Sequence, residues 1–284
     1  MPPLVFHPRK RRGQSFLIDK NIINKIIKAV SLTNNDIVLE IGSGKGELTK
    51  ELGARAKKVI GIELDRRLFA HLETLFRDFD NVILINKDIL KFDIPAYIKM
   101  NKIKQKLTLV GNIPYNITTP ILEYVFENIY LLNNVYLMVQ KEFASRLIAK
   151  PHSKDYSSFT CFTQFHVSPK LLFSVNKACF KPQPKVDSCF IKLEPKADGF
   201  WNNELKPKDK KLLFKVVQTA FNQRRKTILN SLSAVLDKDK IALILQKLNI
   251  DKRKRAENLS LEDFIKISNL CFDYSGSSNI ILER

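Results

Sequence analysis

IVLEIGSGKG, the stretch Ile37–Gly46, decides the fold of this chain. A short and nearly continuous apolar run leads directly into a loop with three glycines, and a helical pattern follows over Gly46–Ala56. Apolar runs of this length are typical of strands that are covered on both faces of a sheet. We therefore predict a buried strand, a sharp glycine turn and a helix in succession.

The same alternation continues through the first half of the chain. Helical patterns at Arg66–Phe79 and Thr119–Asn128 lie among further apolar runs, which are Val59–Leu64, Val82–Asn86, Leu107–Gly111 and Val135–Gln140. Alternating strands and helices predict an α/β fold with a mostly parallel sheet built from right-handed βαβ units. Two later strands, Lys170–Val175 and Val186–Leu193, are candidates for an antiparallel pair at its edge.

A change in composition near Pro195–Lys206 marks a domain boundary. Lys240–Leu248 and Leu261–Leu270 are helical stretches beyond it. Another helix is indicated by apolar residues at three- and four-residue spacing, namely Leu212, Leu213, Val216, Val217, Ala220 and Phe221. We expect a sheet domain with a basic N-terminal segment over residues 1–200. A small C-terminal helical domain is expected over residues 201–284, with a loosely held tail from Ser275.

The chain is strongly basic. Its 284 residues include 48 Lys and Arg against 29 Asp and Glu, which gives a net charge of +19. Such a charge attracts polyanions, and nucleic acid is the first candidate, with an anionic membrane second. A generally lysine-rich proteome is the alternative explanation for part of the excess. The longest uncharged stretch, Leu107–Leu122, is too short and too interrupted by Gly, Asn and Pro to span a bilayer.

Missing motifs disfavour several other classes of protein. The four cysteines and four histidines have no metal-ligand spacing, so we expect no metal site and free thiols in a reducing compartment. The basic start, MPPLVFHPRKRRG, is followed by no apolar segment, so we expect no secretory signal. We expect a cytoplasmic bacterial protein, with an organelle as the alternative location.

The glycine loop fits a nucleoside better than a dinucleotide. It lacks the GxxxxGK[ST] pattern of a P-loop, and Glu47 stands where a dinucleotide loop has its third glycine. Glu63 lies 21 residues after Gly42 at the end of the next strand, and Asp88 follows the third strand. We expect ribose hydroxyls on Glu63 and an adenine amino group on Asp88. A plain tight turn, and a helix N-cap at each acid, are the alternatives.

The tetrapeptide Asn112-Ile113-Pro114-Tyr115 follows the fourth strand as a rigid polar corner. Pro114 fixes its own φ and holds Ile113 extended. Asn112 both accepts and donates hydrogen bonds, and Tyr115 offers a flat face on which a base stacks. Such a tetrapeptide is usually a turn, but its place behind a cofactor loop favours a catalytic role.

Eight motifs are similar to those of the ribosomal RNA adenine dimethyltransferase family and occur in the family's order. They resemble most the branch that dimethylates adenosines near the 3′ end of small-subunit rRNA. The motifs are GQSFL (Gly13–Leu17), EIGSGKG (Glu40–Gly46), IELD (Ile62–Asp65), NIPYNITTP (Asn112–Pro120), QKEFASRL (Gln140–Leu147), FKPQPKVDS (Phe180–Ser188), AFNQRRKT (Ala220–Thr227) and RAENLSLEDF (Arg255–Phe264).

This resemblance implies a class I, Rossmann-like methyltransferase that uses S-adenosylmethionine. The implied cofactor contacts are Ser15, Leu17, Gly42, Gly44, Glu63, Asp88 and Asn112. Ser15 stands where many members have Asn, so we expect its contact to be weaker or limited to the backbone. The loop GSGKG also occurs in erythromycin-resistance methylases, whereas the AFNQRRKT and RAENLS segments favour the small-subunit branch.

Methylation of adenine N6 requires its lone pair to be drawn out of conjugation with the ring. We expect the Asn112 side-chain oxygen and the Ile113 carbonyl to accept the two N6 hydrogens, with Pro114 holding the loop. Tyr115 would stack on the base and stabilise developing positive charge. The resemblance places Phe180 on the other face of the base, with an ordinary core phenylalanine as the alternative. The target adenine must leave its stack or start in a loop.

Basic side chains are candidates for contacts with RNA phosphates. The candidates are the cluster Arg9–Arg12, the cluster Lys252–Arg255, and the four residues Arg146, Arg224, Arg225 and Lys226. A solvated surface is the alternative for each. The expected partner is small-subunit rRNA within a precursor of the small ribosomal subunit, and we expect the protein to be a monomer.

Three other functions are compatible with parts of the sequence. One is methylation of large-subunit rRNA, as in erythromycin resistance. Another is DNA adenine methylation, although those enzymes usually have a doubled proline where Ile113 precedes the single Pro114. A third is a non-catalytic ribosome-assembly or transcription factor. Four site residues are intact, which argues against lost chemistry, although an assembly role is compatible with catalysis; they are Glu63, Asp88, Asn112 and Tyr115.

Overall fold

The alternation of strands and helices that the sequence predicts is present. The structure, a computed structural model, describes residues 14–197, 200–201 and 205–275. Its strands are β1 (Phe16–Leu17), β2 (Ile37–Ile41), β3 (Lys58–Glu63), β4 (Val82–Asn86), β5 (Leu107–Asn112), β6 (Leu132–Gln140), β7 (Val167–Val175), β8 (Phe180–Lys181) and β9 (Ser188–Pro195).

Within the described ranges, seven strands form one sheet in the order β4-β3-β2-β5-β6-β9-β7. The pairs from β4 to β6 are parallel, and β9 runs antiparallel to β6. The two short strands β1 and β8 pair separately in antiparallel fashion. The predicted fold class, a Rossmann-like and mostly parallel sheet with an antiparallel strand toward one edge, is confirmed.

Helices follow most strands and make up the last part of the described chain. They are α1 (Lys20–Val30), α2 (Glu47–Gly53), α3 (Arg66–Leu75), α4 (Ile94–Met100), α5 (Thr118–Glu127), α6 (Lys141–Leu147), α7 (Ser158–His166), α8 (Lys210–Asn222), α9 (Ile228–Leu232), α10 (Lys238–Lys247) and α11 (Leu261–Ser275). No described helix combines the length and apolar character needed to cross a bilayer.

Both faces of the central strands are buried, as their continuous apolar pattern predicts. Val38, Val59 and Val110 belong to one hydrophobic cluster with residues of α1 and α2, such as Ile26 and Leu52. The alternate positions on the same three strands are also fully buried, at Leu39, Ile60 and Leu109. The observed pairing of these strands, in which Ile41 lies opposite both Ile62 and Gly111, places their carboxyl ends side by side.

Helix boundaries differ from the predicted ones where local hydrogen bonding ends the helix early. The helix predicted over Arg66–Phe79 ends at Leu75, after which Phe79 N–H bonds to the Phe76 carbonyl in a turn. The helix predicted over Gly46–Ala56 ends at Gly53. The five-residue α9 was not predicted, because so short a segment shows no helical period.

Contacts divide the described chain into two compact units. The first contains residues 14–144 and 168–195, and the second contains residues 145–167 together with the described residues from 196 onward. The boundary predicted from sequence, near residue 200, assigns residues 145–167 to the sheet domain. In the structure this segment belongs to the helical unit, because its Tyr156 and Phe165 are buried in one cluster with Val216 and Phe264.

Candidate cofactor and adenine site

The carboxyl ends of four parallel strands meet at one edge of the sheet. Ile41 is paired with Ile62 on one side and with Gly111 on the other, and Glu63 is paired with Asn86. A cavity of about 310 Å³ opens there. Ten of the predicted site residues line it, namely Ser15, Leu17, Gly42, Gly44, Glu63, Asp88, Asn112, Ile113, Pro114 and Tyr115.

The glycine loop adopts the left-handed backbone that its sequence predicts. Gly42, Gly44 and Gly46 have φ values of 76°, 57° and 85°, a region that favours glycine. Gly46 has a second reason to lack a side chain, because a Cβ there would lie 2.8 Å from the Phe76 ring and 2.9 Å from Leu72. The loop therefore turns sharply at the mouth of the cavity, and Gly46 packs closely against Phe76 and Leu72.

Glu63 is held by the backbone on both carboxylate oxygens. Its Oε2 accepts from Gly44 N–H at 2.9 Å and its Oε1 accepts from Asp65 N–H at 2.8 Å. Burial raises the pKa of Glu63, while these backbone hydrogen bonds act to lower it. Each oxygen keeps a further lone pair, so the carboxylate is a fixed acceptor suited to a pair of hydroxyls.

Asp88 is a helix N-cap, the alternative that its sequence allowed, and it also lies at the cavity. Its Oδ1 accepts from Leu90 N–H at 3.0 Å and caps the short 3₁₀ helix Ile89–Lys91. The side chain also lines the cavity, and no described residue donates to its Oδ2. Capping thus fixes the acid and leaves one oxygen for a ligand.

Glu40 lines the cavity but was not predicted as a site residue. It is only 1% exposed, and its Oε2 accepts from Ser43 Oγ at 2.8 Å and from Thr49 Oγ1 at 2.6 Å. Burial raises its pKa to about 7, against the lowering effect of the two hydroxyls. The sequence feature that could have identified Glu40 is a single acidic residue inside the apolar run IVLEI.

Asn112 ends β5 with its amide anchored. Its Nδ2 donates to the Ser15 carbonyl at 3.1 Å, so the backbone of Ser15 lies beside Asn112 at the cavity. No described residue donates to Asn112 Oδ1 or to the Ile113 carbonyl. Pro114 follows with φ −62° and ψ 130°, and the described part of the loop leaves these two acceptors for a ligand.

The side chain of Tyr115 is held by a residue from the antiparallel strand β9. Its hydroxyl lies 2.6 Å from the Oγ of Ser188, which is fully buried at the start of β9. Burial raises the pKa of Tyr115, so the phenol is neutral at physiological pH. Ser188 lies in the FKPQPKVDS motif, but no role was predicted for it, because the contact joins residues 73 positions apart.

Phe180 differs from the role that the resemblance implied. It is 3% exposed, belongs to the hydrophobic cluster beneath α1, and does not line the cavity. Its strand position opposite Leu17 places it in the core. The ring that reaches the cavity from the N-terminal segment is Phe16, whose Cδ1 lies 3.4 Å from where a Cβ on Gly44 would stand.

The predicted RNA contacts that the structure describes all lie in the helical unit. Arg224 is ion-paired with Glu257 at 3.1 Å and donates to the Lys154 carbonyl at 3.0 Å, so it also holds loops together. Arg225, Lys226 and Arg146 are exposed. The cluster Arg9–Arg12 lies outside the described residues. Within the described ranges, no group of three or more His, Cys, Asp or Glu is arranged to hold a metal ion.

Known proteins with similar sequences span nearly the whole chain. Residues 5–273 match the family described as "Ribosomal RNA adenine dimethylase". The "Ribosomal RNA small subunit methyltransferase A" of Clostridium botulinum (strain Loch Maree / Type A3) is 39% identical over 269 residues, which cover 94% of this chain and 95% of that protein.

Two solved structures share the fold over most of their length. A dimethyladenosine transferase from Plasmodium falciparum superposes with a TM-score of 0.76 at 30% identity, covering 92% of this chain and 98% of that one. The 23S rRNA methyltransferase ErmE has a TM-score of 0.70 at 25% identity and covers 90% and 99%. Both likenesses include the sheet and the helical part of the chain.

Proposed function

Because this chain belongs to the ribosomal RNA adenine dimethylase family, we propose that it transfers methyl groups from S-adenosylmethionine to adenine N6 in small-subunit rRNA. The two methylated adenosines would be adjacent and near the 3′ end of that RNA. One observation carries the proposal. Asn112 and Tyr115 line the same cavity as Gly42 and Glu63, so a base-binding loop and a nucleoside-binding loop share one site.

The residues along the cavity fit an adenosine-containing cofactor. Glu63 offers a fixed pair of acceptors for ribose hydroxyls, and Asp88 keeps one oxygen for an amino group. Leu64 and Leu90 line the same cavity although they are 46% and 36% exposed, which leaves apolar surface for a purine. The bound cofactor would supply an electrophilic methyl group on a sulfonium.

Asn112 and Ile113 would activate the adenine. The amide of Asn112 is oriented by its bond to the Ser15 carbonyl, so Oδ1 faces away from that bond and accepts one N6 hydrogen. The Ile113 carbonyl would accept the other. Two acceptors at fixed positions favour a pyramidal nitrogen and stabilise its positive charge as the methyl group arrives.

Tyr115 would hold the base by stacking. Its hydroxyl is bound to Ser188, which fixes the ring. A neutral amide and a neutral phenol suit two successive transfers, because one N–H remains to bond after the first methylation. No described side chain is needed as a base, since the N6 proton becomes acidic once nitrogen has been alkylated.

Small-subunit rRNA in a precursor ribosomal subunit is the proposed partner, bound by a monomer in the bacterial cytoplasm. Support comes from the name of the Clostridium relative and from the net charge of +19. We assign Arg146, Arg225 and Lys226 to phosphate contacts and expect a smaller contribution from Arg224, because Glu257 already neutralises part of its charge. A role in subunit biogenesis belongs to the same proposal.

Methylation of large-subunit rRNA is the second candidate. It is favoured by the likeness to the 23S rRNA methyltransferase ErmE. This chain is 25% identical to ErmE, which is well below its 39% identity to the small-subunit methyltransferase of Clostridium botulinum. We therefore rank the small-subunit reaction first.

Labelled cofactor would test the proposal. The protein is incubated with unmodified small subunits, with large subunits and with duplex DNA, and the nucleosides are then analysed. We expect N6,N6-dimethyladenosine from small subunits and none from the other two, and its formation by an Asn112→Ala variant should be strongly slowed. Label confined to large subunits would support the second candidate, and no label in any substrate would refute both.

A further inference from the structure

The connection between β7 and β9 carries positive charge that the proposed methyl transfer leaves unassigned. Residues 176–187 include three lysines, Lys177, Lys181 and Lys185, and one acid, Asp187. Lys181 and Lys185 are exposed, and Lys177 is half-buried. Within the described part of the chain, none of the three forms an ion pair, whereas several lysines elsewhere pair with acids. The segment therefore presents uncompensated positive charge.

The register of the strands places this segment beside the proposed adenine site. Asn112 on β5 is paired with Met138 on β6, and Gln140, two residues further along β6, is paired with Ser188. Ser188 in turn lies 2.6 Å from the Tyr115 hydroxyl. The segment that ends at residue 187 thus reaches the same edge of the sheet as the loop proposed to bind adenine.

Backbone contacts hold the lysines along this edge. Lys181 is paired with Phe16, which lines the cavity. Lys177 N–H donates to Asp187 Oδ1 at 2.9 Å. Lys141, the first residue of α6, donates its N–H to the Asp187 carbonyl at 3.0 Å. We call four residues the lysine rim, namely Lys141, Lys177, Lys181 and Lys185.

Two acids adjoin the lysine rim without cancelling its charge. Glu142 is exposed and lines a cleft of about 280 Å³ together with Lys141 and Lys177. Asp187 lines the same cleft, and one of its oxygens already accepts from the backbone of Lys177. With four lysines against these two acids, the rim keeps an excess of positive charge.

The cofactor side of the main cavity has the opposite balance. Four acids and two lysines line it there, namely Glu40, Glu47, Glu63, Asp88, Lys45 and Lys87. An adenine that reaches Asn112 is joined through its ribose to a phosphate on each side, so the RNA backbone must lie at the mouth of the cavity. Phosphates are repelled by the acidic side and attracted to the lysine rim.

We propose that the lysine rim binds the phosphates that flank the target adenosine and thereby orients the RNA strand at the mouth of the cavity. This inference rests on the proposed function, which supplies the RNA. The phosphate contacts already assigned, Arg146, Arg225 and Lys226, belong to the helical unit, whereas the rim belongs to the sheet unit. The sheet unit thus has its own contact with the nucleotides that are methylated.

The salt dependence of binding to unmodified small subunits tests this role. Replacing both Lys181 and Lys185 by Ala should lower the slope of log K against log salt by about 1.5, since two phosphate contacts are lost. Replacing both by Arg keeps the charge and should keep the slope. The matched control replaces Lys104 and Lys106 by Ala, two exposed lysines just before β5, at the opposite edge of the sheet from Asn112. This control should bind with the wild-type slope, and all variants should bind S-adenosylmethionine as the wild type does.

Chemical acetylation of lysines gives a second measurement on the wild-type protein, which does not depend on the folding of any variant. Mass spectrometry compares the free protein with its complex with small subunits. We expect Lys181 and Lys185 to react several times more slowly in the complex, and Lys104 and Lys106 to react equally in both states.

Equal slopes for the rim variant and its matched control would overturn the inference, and so would rim lysines that react equally in both states. Protection combined with an unchanged slope would show that a ribosomal protein covers the rim, which also overturns it. A wild type that methylates none of the substrates would instead refute the proposed function. The two failures are therefore distinct.

Discussion

The phenol oxygen of Tyr115 and the Oγ of Ser188 lie 2.6 Å apart and join two segments of the site that are 73 residues apart in sequence. Tyr115 follows the parallel strand β5, and Ser188 begins the antiparallel strand β9. Ser188 is fully buried, so its hydroxyl is a fixed anchor. The position of the hydroxyl end of the Tyr115 side chain is thereby set by the antiparallel part of the sheet.

Ser188→Ala should lower kcat about five- to tenfold, because one hydrogen bond that orients the ring is worth about 1 kcal/mol. Tyr115→Phe keeps the ring and should reduce kcat by a similar factor. The double variant should be no slower than either single one, since both remove the same bond. Steady-state kinetics would measure this, with Ser174→Ala on β7 as a control. Fully additive reductions would argue against the shared bond.

Gly46→Ala should destabilise the sheet domain by about 2–4 kcal/mol, which combines a left-handed backbone with overpacking. The added Cβ would lie 2.8 Å from Phe76. Gly44→Ala has the same backbone cost, but its Cβ would lie 3.4 Å from the edge of the Phe16 ring, so a smaller destabilisation is expected. Calorimetric unfolding compares the two, and equal effects would contradict the packing argument.

Stability in the absence of cofactor should depend on Glu40 through pH. Its pKa rises from 4.5 to about 7 on folding, so its contribution is fully present below pH 4.5 and is lost as pH rises through 7. The loss corresponds to about 3 kcal/mol. Relative to that of Glu40→Gln, the unfolding free energy of the wild type should fall by this amount as pH rises from 4.5 to 8. An unchanged difference would mean that Glu40 is ionised in the folded protein.

RNA binding should weaken steeply with salt. Replacing Arg225 and Lys226 by Ala should reduce the slope of log K against log salt by about one for each phosphate that the variant no longer neutralises. Arg224→Ala should reduce the slope less, because the guanidinium is already paired with Glu257. Filter binding at low and moderate salt checks this, and a flat response of the wild type would remove the electrostatic argument.

The parts of the site that the sequence predicted are those set by local pattern and by the rule for parallel sheets. Gly42, Glu63 and Asn112 each end or follow an apolar run, and parallel strands bring such ends to one edge. The contacts of Phe180 and Ser188 depend instead on where their strands, β8 and β9, pack in the fold. A motif can mark such residues as important, but it does not say that one contacts Tyr115 and the other enters the core.

The same distinction explains the helical unit. The amphipathic period of α8 was readable in its own sequence. The membership of residues 145–167 was not, because it depends on Tyr156 and Phe165 packing against helices that come much later in the chain, at Val216 and Phe264. A change in composition locates a linker, but it does not detect a segment that returns to another unit.

Single-turnover methylation by Asn112→Ala, measured together with its affinity for RNA, tests the central claim most directly. The amide of Asn112 is proposed to act only when N6 attacks the methyl group, so the rate should fall by about 10²–10³, while the Kd for RNA stays close to that of the wild type. Asn116→Ala, which removes an exposed amide of the same loop, should methylate at nearly the wild-type rate. A variant at Asn112 that binds RNA poorly but methylates bound RNA at the wild-type rate would contradict the account.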